Sequence, residues 1–167
     1  MNAGCITGLA GIQTVRCSEM QISIRPYEDG DLDAIARLWF ESWRSTGLAV
    51  AQQSTEAVMR ARIPQELAFG WRVFVGTDAE NRLVGFLALK PAVGRLDQIF
   101  VAPSAQRQGV GRALMDLAKR EMPGAISLRT AVDNVGACRF YERAGFRRAE
   151  LSIHPTLGHP TVIYRWP

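Results

Sequence analysis

The sequence predicts an α/β fold of the α+β type, a mixed, largely antiparallel sheet flanked by helices. Three observations carry that expectation. Short stretches in which polar and apolar residues alternate, as in a half-buried strand, recur from residue 21 to the end. Three of them follow one another directly between residues 71 and 101, which argues for antiparallel neighbours. Around them lie segments whose apolar residues recur at i, i+3 and i+4, the spacing of one helix face.

In chain order, Gln21-Ile22-Ser23-Ile24-Arg25 alternates and stops at Pro26, as a short strand does. Asp31 stands where an N-cap belongs, before a helix with the apolar stripe Leu32, Ile35, Ala36, Trp39 and Trp43; Gly47 ends it. A second helix runs from near Ser54 to about Arg62, where Pro64 interrupts it, with a further turn to Phe69. Strands at 71–76 and 83–89 form a hairpin across the polar turn 78–81, and a third strand at 96–101 ends before Pro103. A polar, glycine-bearing loop, 106–111, then opens a helix with Val110, Leu114, Leu117 and Ala118 on one face, closed by Pro123-Gly124. A strand at 125–132 follows. Asp133-Asn134 opens a short helix with Gly145 at its C-terminal cap. Strands at 146–153 and 161–166 close the chain, separated by a loop with the pairs His154-Pro155 and His159-Pro160. The order is β-α-α-β-β-β-α-β-α-β-β. The last strand also offers an edge through which a homodimer is expected to pair.

The bulk composition narrows the class. The chain has 167 residues, 47% hydrophobic and 22% charged, which fits one domain with a sizeable core at 21–167. Residues 1–20 are small, polar and weakly patterned. They read as a disordered extension without the basic and apolar regions of a signal peptide. No apolar run is long enough to suggest a membrane span. The net charge of +4 favours a polyanionic small molecule, and no dense Lys/Arg tract points to nucleic acid. The cysteines, Cys5, Cys17 and Cys138, form no C-x-x-C pair and suggest neither disulfides nor a metal site. Free thiols in a reducing, cytoplasmic setting are the expectation.

The glycine loop carries the chemistry. The first N–H groups of a helix lack intrahelical partners and sit at the positive end of its dipole. Gly109 and Gly111 let the backbone approach a ligand, and Arg107 and Arg112 add positive charge, so the segment suits a diphosphate. Leu114 stands where a dinucleotide fingerprint needs a third glycine, and no Walker Gly-Lys-Ser/Thr run is present.

Here the sequence resembles the GNAT acetyltransferases. Gln106-x-x-Gly109-x-Gly111 matches their Q/R-x-x-G-x-G/A signature, and 96–103 is similar to their fourth strand with its proline. Asn134-x-x-Ala137-x-x-Phe140-Tyr141-Glu142-x-x-Gly145-Phe146 matches their second signature. The resemblance implies acetyl-CoA as co-substrate, with no metal, in a V-shaped cleft where the fourth and fifth strands splay. It places the diphosphate on the amides of Arg107, Gln108, Gly109, Val110, Gly111 and Arg112. The pantetheine arm would run along the backbone of Ile99, Phe100 and Val101, and Asn134, Ala137 and Tyr141 would flank the cofactor. It further implies direct attack by a primary amine, of a small molecule or a protein, in a ternary complex. A non-catalytic acyl-CoA sensor of the same fold is the alternative.

An amine of pKa about 10.4 costs roughly 4–5 kcal/mol to deprotonate at pH 7, so something must remove the proton. Tyr141 suits proton donation to the leaving thiolate, or packs on its helix. Asp97 is expected to share a strand face with Ile99 and Val101, and acts as base through water, binds the acceptor, or is structural. The late-loop histidines, His154 and His159, are further base candidates or plain turn residues. Trp43, near its helix end, and Thr130 are expected on the acceptor side with Asp97, whereas Trp39 suits the core. Asn134 also reads as a helix N-cap, and Cys138, without a histidine beside it, as structural.

Overall fold

The computed structural model describes residues 5–7, 13–16 and 21–167. Nine strands among them form one sheet: β1 (Cys5–Thr7), β2 (Gln13–Arg16), β3 (Gln21–Pro26), β4 (Arg72–Thr77), β5 (Leu83–Lys90), β6 (Arg95–Val101), β7 (Ile126–Ala131), β8 (Arg147–Ile153) and β9 (Pro160–Trp166). The spatial order is β1-β2-β3-β4-β5-β6-β7-β9-β8, antiparallel throughout except for β6 beside β7. Of the N-terminal extension, only β1 and β2 are among the described residues, and the expectation of disorder otherwise lies outside them. From residue 21 onward the elements follow the order expected from the sequence.

Four α-helices complete three layers. α1 (Leu32–Arg44) and α2 (Glu56–Ala68) cover one face of the sheet, and α3 (Val110–Glu121) and α4 (Val135–Arg143) the other. The central strands are buried on both sides, so β5 reads as a nearly unbroken apolar run. Its Phe86 and Ala88 pack under α1 and α2, while Leu87 and Leu89 pack under α3 and α4. In α1 the apolar stripe buries Ile35, Ala36 and Trp39, and Trp43 is half-buried near the helix end.

Three local expectations are corrected. Asp31 does not cap α1 with its side chain; its carboxylate accepts two hydrogen bonds from Arg25, at 2.7 and 2.8 Å, and one from the Glu28 N–H. A guanidinium pair outcompetes a single cap bond. α2 runs through Pro64 to Ala68, because Met59 and Ile63 on its inner face are fully buried and hold the helix across the missing N–H. The strand at Pro160–Trp166 is not an edge, since β7 and β8 pair with its two sides. It therefore has no edge left to pair across a dimer, and β8 is the terminal strand.

The feature that positions the site is the parallel junction. β6 and β7 share one register pair, Arg95 with Ser127, reinforced by the Ser127 N–H donating to the Gly94 carbonyl at 2.8 Å. Gly94 has φ +59°, and a Cβ there would lie 2.7 Å from the Ala125 carbonyl oxygen. Only glycine allows the two strand starts to approach this closely. Beyond the junction the strands part and leave a V-shaped opening in the sheet.

Gly94→Ala should force this junction apart. The expected loss is about 2–4 kcal/mol of stability from left-handed strain and overlap, read as a lower urea midpoint. An unchanged midpoint would mean that the junction does not hold the strands.

Candidate active site

The parting of β6 and β7 frees main-chain groups. In an antiparallel ladder, hydrogen-bonded and non-bonded pairs alternate. The Ala102 N–H donates to the Val84 carbonyl at 2.9 Å, so the Val101–Gly85 pair is of the non-bonded kind and Phe100 bonds to Phe86. The main-chain groups of Ile99 and Val101 therefore point away from β5, into the opening. The Val101 carbonyl is taken by the Ser42 hydroxyl at 3.1 Å and the Gln106 side-chain amide at 3.3 Å. Among the described residues the Val101 N–H and both main-chain groups of Ile99 have no partner, and they face the cleft. Of the three residues expected to pair with a ligand, Phe100 offers only its ring, which stacks near Phe86 at 5.8 Å under α1.

At the mouth of the cleft, the glycine loop leads into α3. Gly109 is the N-cap with φ +91°, and Arg107 takes φ +62°, a conformation that costs a non-glycine residue about 1 kcal/mol or more. The first α-helical hydrogen bond runs from the Ala113 N–H to the Gly109 carbonyl. The N–H groups of Val110, Gly111 and Arg112 precede it and have no acceptor among the described residues. The Gln108 side chain is turned back onto the Ser104 carbonyl at 2.8 Å, leaving its backbone to face outward. Arg112 is exposed and borders a hollow of about 560 Å³ between α3 and α4, which Lys119 and Arg143 also line.

On the α1 and α2 side, the V opens into a groove of about 520 Å³. Trp43, Asp97 and Thr130, the three residues expected on the acceptor side, all line it. So do Trp39, His154 and His159. Trp39 is at once core and wall: 2% exposed, it packs 5.9 Å from Trp71 and 6.1 Å from Phe100.

Asp97 is not where alternation places it. The ladder pairs Ala88 with Gln98 but Leu89 with Leu96, so Asp97 is the extra residue of a β-bulge. The bulge flips the faces: Leu96 joins Ile99 and Val101 under α3, and Asp97 turns to the α1 and α2 side beside Trp71. There one carboxylate oxygen accepts from the Trp71 indole N–H at 2.7 Å, and the other forms an ion pair with Arg95 at 2.8 Å. Lys90 lies 3.9 Å away and donates to Glu66 at 2.7 Å, and Glu66 also accepts from Arg62 at 3.1 Å. Burial pushes the Glu66 carboxyl up, but the hydrogen bonds from Lys90 and Arg62 more than offset it and hold the group below the ordinary glutamate range.

Tyr141 lies on the opposite face. It is 8% exposed among Phe140, Phe146 and Tyr164, and its hydroxyl has no hydrogen-bond partner among the described residues. Burial, with smaller contributions from Cys138 and Tyr164, pushes its phenol far up, so it stays protonated. Asn134 caps α4, its side-chain oxygen accepting from the Ala137 N–H at 3.2 Å. Cys138 is a buried free thiol. The His154 Nδ1 accepts from the N–H groups of Thr156 and Leu157, at 3.3 and 3.1 Å, so in the neutral ring the proton sits on Nε2. Burial first, then His159, Arg129 and Arg62, hold its pKa below the ordinary histidine value. A ring already protonated at its open nitrogen is a donor rather than a base. The sequence reading missed Arg62, Glu66 and Arg129; the polar alternation Ser127, Arg129 in β7 was the available signal.

Among the described residues no group of His, Cys, Asp or Glu is arranged to hold a metal ion, and no helix is long and apolar enough to cross a membrane.

Comparison with known proteins adds the family. The model of the acetyltransferase (GNAT) family matches residues 32–146. The chain is 29% identical over 149 residues to the peptidyl-lysine N-acetyltransferase YiaC of Escherichia coli (strain K12), covering 86% of this chain and 96% of that protein. It is 28% identical over 144 residues to the mycothiol acetyltransferase of Pseudarthrobacter chlorophenolicus, covering 79% of this chain and 44% of that one. Two solved structures share the fold. Apo-form YjaB from Escherichia coli aligns with a TM-score of 0.67 at 22% identity, over 87% of this chain and 97% of that one. The ribosomal-protein-S18-alanine N-acetyltransferase from Escherichia coli aligns with a TM-score of 0.66 at 21% identity, over 87% and 93%.

The Glu66 network is testable by pH. A carboxylate whose folded pKa is lowered adds stability above its unfolded pKa and loses it as pH falls through the folded one. The stability gap between the wild type and Glu66→Gln should be about 1 kcal/mol at pH 7 and should close as pH falls below about 4.3. Urea melts across that range measure it; a gap independent of pH would remove the charge from the account.

Proposed function

The chain belongs to the GNAT acetyltransferase family, and from that premise we propose that it transfers an acetyl group from acetyl-CoA to a primary amine by direct attack in a ternary complex. The observation that carries this reading is the alignment of two sets of unpaired main-chain groups, on Ile99 and Val101 and at the start of α3, along one cleft.

The fit to acetyl-CoA is chemical. The N–H groups of Val110, Gly111 and Arg112, at the positive end of α3, suit a diphosphate, and the strained Arg107 and left-handed Gly109 shape that turn. The open edge of β6 suits the amides of a pantetheine arm, as an added strand would. Asn134 and Ala137, at the start of α4, stand toward the same arm. Bound there, the co-substrate supplies an activated acetyl thioester to the groove beyond Val101.

The residues of the chain then divide the work. The Val101 N–H donates to the carbonyl oxygen as charge gathers on it. Trp43, Asp97 and Thr130 border the acceptor amine. With both oxygens held by Trp71 and Arg95, Asp97 shapes that wall more readily than it accepts a proton. The three groove carboxylates, Glu66, Asp97 and Glu150, are each already ion-paired with an arginine, so an ammonium finds no free counter-ion among the described residues of the groove. Apolar walls from Trp39, Trp43 and Phe100 further disfavour the charged amine. Tyr141, kept protonated by burial, donates to the departing thiolate.

Calorimetry with acetyl-CoA, and thiol release across a panel of amines, test the reading together. Binding with no turnover on any amine would favour a non-catalytic acyl-CoA sensor. Tyr141→Phe should lower kcat about 100-fold while leaving acetyl-CoA affinity and thermal stability near the wild type, because its hydroxyl holds no internal hydrogen bond. A normal rate over the full pH range would move thiolate protonation elsewhere.

A further inference from the structure

The charges lining the acceptor groove do not cancel. Four arginines reach it, and three are matched: Arg62 with Glu66 at 3.1 Å, Arg95 with Asp97 at 2.8 Å and Arg165 with Glu150 at 3.7 Å. The fourth, Arg129, projects from β7 and makes no ion pair or hydrogen bond among the described residues. Lys90, beneath the wall, adds a further positive charge to the Glu66 and Asp97 cluster.

The groove holds a second donor. His154 lines the same groove, and its Nδ1 is fixed as an acceptor by two backbone N–H groups, so its neutral ring presents Nε2–H. Arg129, Arg62 and His154 all line this one groove. His159 stacks on His154 at 5.1 Å and restrains the ring. An unmatched guanidinium and a fixed neutral donor lining one groove are the chemistry that receives a carboxylate.

Resting on the acetyltransferase reading, we propose that the acceptor amine carries a carboxylate close by, which Arg129 and His154 bind. A free amino acid supplies it on the same molecule, and a peptide supplies it from an acidic neighbour of the acetylated residue. A polyamine, with cations along its length and no free carboxylate to meet them, is excluded by the same charge balance. Arg129 and His154 are specificity residues in this scheme and take no part in bond making.

The test pairs acceptors that differ only in that charge: amino acids against their amides, and lysine peptides with Glu against Gln beside the lysine, with spermidine as the cationic comparison. Thiol release from acetyl-CoA gives kcat and KM for each. The carboxylate partner should have the lower KM in one of the two pairs, and which pair it is names the source. In Arg129→Gln that advantage should fall by about 10- to 100-fold, largely through KM for the acceptor. KM for acetyl-CoA should be unchanged, and Arg129→Lys should recover part of the advantage. Preference for spermidine, or an Arg129→Gln variant that keeps the full advantage, would overturn the proposal. A binding arm separates this from failure of the transferase reading. N-acetylated carboxylates and their amides are titrated by calorimetry against the CoA-saturated protein. With no thiol release on any amine, Arg129-dependent binding of the carboxylate still supports the anion site, and its absence defeats it.

Discussion

A parallel pair of strands normally satisfies its main-chain groups in an evenly spaced ladder. β6 and β7 form one rung of that ladder, at Arg95 and Ser127, and then separate. Separation is costly unless the exposed N–H and C=O groups meet water or a ligand. The molecule limits the cost on one side, where Ser42 and Gln106 donate to the Val101 carbonyl. It leaves the Val101 N–H and the Ile99 groups open. A sheet that pays to keep an interior strand unpaired has a binding edge built into its centre, and the helix termini and loops are arranged around it.

The bulge at Asp97 belongs to the same economy of space. By inserting one residue, β6 turns the Asp97 carboxylate out of the α3 and α4 layer, where Leu96 now packs, and into the α1 and α2 layer. There it meets the Trp71 indole and Arg95. The carboxylate thereby fastens β6 to the chain between α2 and β4, and Lys90 and Glu66 extend the fastening to α2 itself. The wall of this groove is charged and internally paired, and in the proposed reaction that pairing would also withhold its carboxylates from an incoming ammonium.

Much of this was legible in the chain. Helix and strand order from residue 21 followed from local periodicity, because each amphipathic stripe faces a core that the pattern alone identifies. The turn into α3 was legible because Gly109 and Gly111 let the backbone stand open, and Gly109 indeed takes a left-handed φ that most residues avoid. The rest depended on non-local contacts. Alternation along 96–101 put Asp97 on the wrong face, since a bulge is set by register against β5 and leaves no mark in β6 alone. Pro64 looked like a break until the burial of Met59 and Ile63 outweighed it. The interior position of β9 is a matter of strand order, which the alternation in 161–166 does not encode. Arg129 was visible as one polar residue of a strand. Only the groove around it, with every other arginine matched, distinguishes it from a solvated charge.

Charge matching in the groove bears on the reaction as well as on recognition. Freeing a lysine-like amine at pH 7 already costs roughly 4–5 kcal/mol. A substrate carboxylate held about 5 Å from that amine, at an effective dielectric near 20, would favour the ammonium by about 3 kcal/mol more. An acceptor of the proposed kind would thus carry its own obstacle to deprotonation into a groove whose three carboxylates are already ion-paired. Pairing the carboxylate with Arg129 would cancel most of that added term. In the proposed complex the unmatched guanidinium would do two things with one charge: it would select the acceptor, and it would keep the acceptor's own anion from holding the proton that the attack must shed.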